Sequence, residues 1–315
     1  MRGYVFIAAG ALLWGIAATL GRAAFTGKLA FFGTFHPIDP VILSQTRATF
    51  SLAALVPVLL LRGGWARIRM PQRDLISCLV LGMFGIAASN YFYYLAIQRT
   101  SVAIAIILQY TAPVWVLLYV VARGQQKPSL QKISAVGVAI TGIALVIGLI
   151  GPDSARAFLH IDSYGLLGGL VASFSFAFYN VGAHRILARY DRWRVLVWTL
   201  ASAFTFWLLL NPPWKVFAAH YGQADWIFLF VFSMVSVLVP FSLYFLGLQY
   251  LEPTRAIIVS CLEPVFSIVL AAVFLGEVLH AVQSFGIVLV LAAIVIVQLP
   301  GRGEAGETVV CDPIE

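Results

Sequence analysis

Apolar runs close to the length of a membrane-spanning helix alternate along this chain with short connectors that carry most of its charge. A spanning helix needs roughly 20 predominantly apolar residues. Runs that approach this length lie at 3–24, 40–61, 74–97, 101–122, 130–150, 163–184, 194–211, 225–249, 253–275 and 281–299. The connectors at 98–100, 250–252 and 276–280 are short enough to force helical hairpins. The pattern predicts an all-α integral membrane protein with ten transmembrane helices. The first run, following Arg2, has the basic start and apolar core of a secretory signal. It is long enough to span and has a counterpart later in the chain, so it is read as a retained helix.

Charge fixes an orientation on this pattern, because positive residues near span ends are retained in the cytoplasm. With the N-terminus inside, the inner segments hold fourteen lysines and arginines, among them Arg62, Arg67, Arg69 and Arg73 and the cluster Arg185, Arg189, Arg192 and Arg194. The outer segments hold four: Lys28, Arg99, Arg156 and Lys215. Both termini are therefore expected in the cytoplasm, with the chain a multi-pass protein of the plasma (inner) membrane, and the lipid bilayer is its solvent. The composition agrees. The chain is 61% hydrophobic and 10% charged, whereas soluble domains carry about 25% charged residues. A net charge of +7 would suit nucleic acid if it formed one patch, but it is spread over connectors, so no nucleic-acid partner is expected. Cys78, Cys261 and Cys311 form no CxxC pair, and neither a metal nor another cofactor is implied.

A repeat lies beneath the ten runs. Placing YYLAIQRTSVAIAIILQYTAPVW from Tyr93 above YFLGLQYLEPTRAIIVSCLEPVF from Tyr244, at an offset of 151 residues, matches Leu95 with Leu246, Gln98 with Gln249 and Pro113-Val114 with Pro264-Val265. The expected organisation is a first repeat over 1–152, a second over 153–299 and a disordered cytoplasmic tail over 300–315. Five spans per repeat is an odd number, so the copies enter the membrane from opposite sides. Two inverted five-helix repeats are a recurring plan of secondary transporters, with the substrate site near the midplane between them.

Ionisable residues within spans are costly and mark functional sites. Glu263 and Arg47 are the two clear cases. Ser260, Glu263 and Ser267 share one face of the ninth run, and Pro264 removes the donor that would satisfy the Ser260 carbonyl. A local helix break facing a polar path is expected there. The competing role for Glu263 is a packing ion pair with Arg255 or Arg47. A desolvated carboxyl exchanges protons more readily near neutral pH, which makes a proton a candidate coupling ion. Arg47 shares a face with Ser44 and Ser51 and has the geometry to bind a substrate carboxylate, or to brace and gate. Asn90, Tyr94 and Tyr244 need polar partners in hydrocarbon and join the cavity candidates, as does Asn180, in helical register with Ser173 and His184. Pro113, Pro264 and Pro240 are the expected helix breaks or gating points.

The ALLWG of Ala11–Gly15, Arg47 in the second run, Pro113 and Pro264, and the long stretch EPVFSIVLAAVFLGEVLHAVQSFG from Glu263 resemble the EamA-type members of the drug/metabolite transporter superfamily. The resemblance covers nearly all of 3–299. It implies a ten-helix secondary carrier, in a family with many exporters of amino acids and other small metabolites, and a cavity between two halves. Trp14 resembles the family's Trp-Gly position and becomes a cavity candidate. Arginine at position 47 resembles a common family feature, which favours a structural or gating role. The chain departs from the family where Gly124-Gln125 stands in place of a Gly-Glu pair. Gly276-Glu277 keeps that pair and reads as a helix stop. The expected function is transport of a small metabolite by alternating access, with outward movement of amino acids or related compounds foremost. It is not expected to be an enzyme: HExxH and GxxxxGK[ST] are absent, and the GxGxxG of Gly301–Gly306 lacks a strand and helix around it. An integral membrane enzyme acting on lipid-linked substrates, and a non-transporting scaffold, are the alternatives. Substrate identity, transport direction, coupling ion and oligomeric state are not legible.

Overall fold

The computed structural model describes residues 1–25, 38–100, 102–125, 129–147, 149, 162–275 and 280–298. Among these residues all regular structure is helical. The first half holds α1 (Arg2–Phe25), α2 (Pro40–Gly63), α3 (Gln72–Val80), α4 (Ala88–Arg99), α5 (Val102–Gln109), α6 (Ala112–Ala122) and α7 (Leu130–Val146). The second holds α8 (Ser163–Leu187), α9 (Arg192–Leu210), the short α10 (Pro213–Phe217), α11 (Gln223–Ser233), α12 (Val239–Leu248), α13 (Pro253–Ser260), α14 (Leu262–Leu275) and α15 (Ala281–Gln298). Among the described residues, eight segments are long and apolar enough to cross a membrane, while Leu130–Val146 and Ala281–Val297 are shorter. At 1.5 Å per residue, 17 residues reach about 25 Å against a hydrocarbon core of roughly 30 Å. Large apolar side chains such as Val5, Phe84, Leu209, Val273 and Val295 remain exposed around the outside, as a lipid-facing surface requires. The Gly276-Glu277 pair and the tail from 299 lie outside the described residues.

The helices start where the sequence supplies acceptors for their unpaired N–H groups. Asp39 accepts from Val41 N–H at 2.7 Å and Ile42 N–H at 3.1 Å, with Pro40 opening the helix. Asp191 does the same for Trp193 and Arg194 at 3.1 and 3.2 Å, and Asp162 for Tyr164 at 3.1 Å. Each such cap stabilises by roughly 1 kcal/mol. Within the bundle, hydroxyls tie helices to backbone carbonyls. Ser51 Oγ donates to Ser233 O and Ser233 Oγ to Thr46 O, both at 3.2 Å, while Ser89 Oγ donates to Ala172 O at 3.0 Å. Where no water competes, such bonds are the adhesive between helices.

Among the described residues, two kinds of irregularity interrupt the long helices, and each occurs twice. A wide π-helical stretch, Leu81–Ala87, joins α3 to α4, and another, Met234–Leu238, joins α11 to α12. Their last residues are 151 positions apart. The fourth and ninth apolar runs, in which Pro113 and Pro264 were expected to mark helix breaks, divide at Tyr110–Thr111 and at Cys261. Tyr110 and Cys261 are again 151 apart. Pro113 and Pro264 stand just beyond these breaks, where the missing N–H costs least because the first turn of a helix has no intrahelical acceptor for it. Pro240 was expected to kink the eighth run. The distortion instead precedes it as the π-helical stretch, and Pro240 sits in the first turn of α12.

α7 and α15 cross in close backbone contact. A Cβ on Gly286 would lie 2.7 Å from the Gly142 carbonyl oxygen and 2.8 Å from Val146 N, whereas a Cβ on Gly137, one helical face away, would meet nothing within 4 Å. Gly286→Val should therefore force the backbones apart, and overpacking typically costs about 1–3 kcal/mol. The expected result is a lowered thermal midpoint and loss of a monodisperse peak in detergent, with Gly137→Val close to wild type. Equal behaviour of the two variants would refute the tight crossing.

Candidate functional site

A cavity of about 340 Å³ lies between the halves and draws its walls from both. Its lining runs from Trp14 on α1, through Arg47 on α2 and Asn90 on α4, to Tyr110, Phe241 and Glu263. The lining reaches Gly21, Pro40 and Ile97, helix ends remote from Met1. At the opposite end the chain packs closely: a Cβ on Gly3 would meet Leu251 and Tyr250 below 3.0 Å, and Lys132 meets Glu252 at 3.4 Å.

Glu263 enters this space from the first turn of α14, immediately after the Cys261 break, and Pro264 and Ser267 line the wall beside it. The Tyr110 hydroxyl donates to the Glu263 carboxylate. Acid and phenol thus come from the two broken helices, one from each half. Arg47 lines the same cavity and is braced: its Nε donates to Ser236 Oγ at 3.0 Å and one Nη to the Ser236 carbonyl at 3.1 Å. Ser236 lies in the π-helical stretch, where a widened turn leaves carbonyls short of partners. The guanidinium also stacks over the Phe232 ring at 5.8 Å. Two of its five N–H groups are committed to Ser236, so the fork is held in place with donors to spare for a ligand.

Of the other candidates, Trp14, Asn90 and Tyr94 line the cavity, as do the helix-breaking Pro113 and Pro264. Trp14 packs edge-on against Phe241 at 5.1 Å and against Tyr244 at 5.4 Å. Asn90 donates one amide hydrogen to Ile86 O at 2.8 Å, leaving its carbonyl oxygen as an acceptor. Tyr94 lies 5.8 Å from Tyr93, ring to ring.

Three candidates are placed elsewhere. Asn180 and Tyr244 are fully buried, the Tyr244 hydroxyl donating to Asn180 Oδ1 and Asn180 Nδ2 to Phe176 O at 2.9 Å. Ser260 turns back onto Ile257 O at 2.7 Å. None of these, nor Pro240, is part of the cavity wall. Arg255, offered as an ion-pair partner for Glu263, meets Glu252 at 3.6 Å and is also outside the wall. Tyr244→Phe tests the helix-tying role directly. It strands the buried Asn180 oxygen, a loss of about 1–3 kcal/mol. The thermal midpoint should fall by several degrees while the apparent KM of any cavity substrate stays within about twofold; a larger KM change would place the phenol in the binding site after all.

Tyr110, Gln109 and Phe176 are wall residues that the sequence did not single out. A signal existed for Tyr110: the polar triplet Gln109-Tyr110-Thr111 lies just before Ala112-Pro113, which matches Glu263-Pro264 at the 151-residue offset, and Tyr110 itself matches Cys261.

Comparison with known proteins gives these features a context. The model of the EamA-like transporter family matches residues 1–148 and 163–299. An uncharacterized inner membrane transporter, YicL of Salmonella typhimurium, is 25% identical over 236 residues, 74% of this chain and 76% of its own. An uncharacterized transporter of Archaeoglobus fulgidus is 27% identical over 283 residues, covering 90% and 96%. The threonine/homoserine exporter RhtA of Escherichia coli K12 is 27% identical over 233 residues, 72% of each chain. A solved crystal structure superposes with a TM-score of 0.75 at 18% identity, covering 95% of this chain and 97% of its own, a likeness of fold.

Proposed function

Because the chain belongs to the EamA-like transporter family, we propose that it is a secondary carrier that exports a small metabolite, an amino acid or related compound, across the inner membrane. The route is the cavity between the two halves, exposed to each side in turn. The observation that carries this reading is the pairing at the cavity wall: a carboxylate and a phenol from two broken helices, with a braced arginine facing the same space. Discontinuous helices meeting at midspan are how secondary transporters present polar groups to a substrate.

Ten spans in two inverted five-helix repeats form the scaffold of this reading, with 1–152 as one repeat, 153–299 as the other and both termini cytoplasmic. The separate matches of the family model to 1–148 and 163–299 support it, as do the π-helical stretches and helix breaks recurring at the 151-residue offset. In this scheme α7 and α15, short as they are, cross the bilayer as a closely packed pair. The cavity then faces outward, and the packed Gly3, Lys132 and Glu252 region is the gate that must open for loading. The RhtA relatives export threonine and homoserine by name, which makes amino acids the first substrates to try.

Counterflow tests the reading. Proteoliposomes of the purified full-length protein, preloaded with an unlabelled amino-acid mixture, should transiently accumulate labelled amino acids above equilibrium. Liposomes without protein should not. Failure of amino acids, peptides and amines alike to exchange would overturn the carrier reading.

A further inference from the structure

Resting on the carrier reading, the cavity wall narrows the substrate class. Among the described lining residues, charge is confined to two side chains, Arg47 and Glu263, with uncharged polar groups on Ser89, Asn90, Gln109 and Ser267. Aromatic rings are the bulkiest part of the remainder: Trp14, Tyr93, Tyr94, Phe176, Phe232 and Phe241 line the space beside aliphatic residues such as Leu43, Ile86 and Ile257. Two of these rings are packed against further aromatic side chains. Trp14 is fixed between Phe241 and the buried Tyr244, and Phe232 is stacked on Phe228 at 5.5 Å. A fixed aromatic wall is a poor surface to leave against water and a good one for a ring, through both apolar burial and edge-to-face contact.

Size points the same way. An apolar protein cavity of about 150 Å³ accepts benzene, and this space measures about 340 Å³. It holds a charged head group and an aromatic ring together. A threonine-sized side chain, with about three heavy atoms, would engage Arg47 and Glu263 and leave the rings wet.

We propose that the transported compound is an amino-acid-like zwitterion with an aromatic side chain, its head group between Arg47 and Glu263 and its ring against Trp14 and Phe241. Threonine and homoserine, the compounds named for RhtA, are then poor substrates. The distinction rests on wall chemistry that 27% identity does not transmit.

The test is competition in counterflow with the full-length protein in liposomes. Unlabelled phenylalanine or tryptophan should halve exchange at concentrations at least tenfold below those of threonine or homoserine. Trp14→Ala should raise the half-inhibitory concentration of phenylalanine at least tenfold and that of threonine less than threefold. The wild-type ranking needs no variant, so it stands even if Trp14→Ala fails to fold. Exchange of threonine with no competition from aromatic amino acids would overturn the substrate class and leave the carrier intact. Exchange of no amino acid, with other amines or peptides moving, would overturn the zwitterion itself. Aromatic selectivity that survives in folded Trp14→Ala would overturn the placement of the ring against Trp14.

Discussion

Glu263→Gln should abolish accumulation driven by a pH gradient, lowering it at least tenfold, while leaving the protein folded and monodisperse. Glutamine matches glutamate in shape and keeps a carbonyl oxygen to accept from the Tyr110 hydroxyl, which donates to the acid in the native protein. What it loses is the ability to bind and release a proton. An acid in a spanning segment is expensive, and this one stands at the cavity wall beside a helix break, where a proton and a substrate can both reach it. The informative comparison is between gradient-driven uptake and counterflow. Loss of the first with retention of the second makes Glu263 the coupling group of a proton-linked carrier. Loss of both makes it a substrate ligand. If both survive at wild-type rates, Glu263 only helps the helices pack, and the coupling proton is refuted.

The irregular features of the site were legible in the sequence to different degrees. Glu263, Pro264 and Pro113 announced themselves because a charge or a missing N–H inside an apolar run leaves polar groups that need a partner, and the helices break beside them. Arg47 was visible for the same reason. A bracing role was among those expected of it, but its partner was not legible, because Ser236 reaches it from 189 positions away and the π-helical stretch that exposes the Ser236 carbonyl has no residue signature of its own. Asn180 and Tyr244 carried the right chemistry for a cavity but the wrong direction. Helical spacing gives residues a common face, yet it is silent on whether that face meets a void or another helix. In this fold the two side chains satisfy one another. Tyr110 is the converse case: a residue that looks like ordinary interfacial tyrosine until the break at Tyr110–Thr111 turns it toward Glu263. The closeness of the crossing between α7 and α15 depends on backbone contact between Gly142 and Gly286, and glycines in apolar runs are too common to predict it.

Arg47→Ala should weaken binding of a zwitterion far more than binding of the same compound without its carboxylate. A hydrogen bond to a charged group contributes about 1.5–3 kcal/mol, so the KM for an amino acid should rise roughly 10- to 100-fold. The corresponding amine, which has no carboxylate to offer, should change less than about threefold. The comparison separates a ligand from a brace, because Arg47 also holds the Ser236 carbonyl and hydroxyl. Removing a brace loosens the wall for every ligand, so both compounds would weaken together. Two further variants sharpen the distinction. Ser236→Ala keeps the carbonyl contact and removes only the hydroxyl, and it should leave the preference for the zwitterion in place. Arg47→Lys preserves the charge but replaces a planar fork with a single ammonium. It cannot hold Ser236 by two bonds and present donors to a carboxylate in the same geometry, so the zwitterion should recover only part of its affinity. Equal loss for amine and zwitterion in Arg47→Ala, reproduced by Ser236→Ala, would assign the arginine to bracing the π-helical stretch and leave recognition of the head group to Glu263.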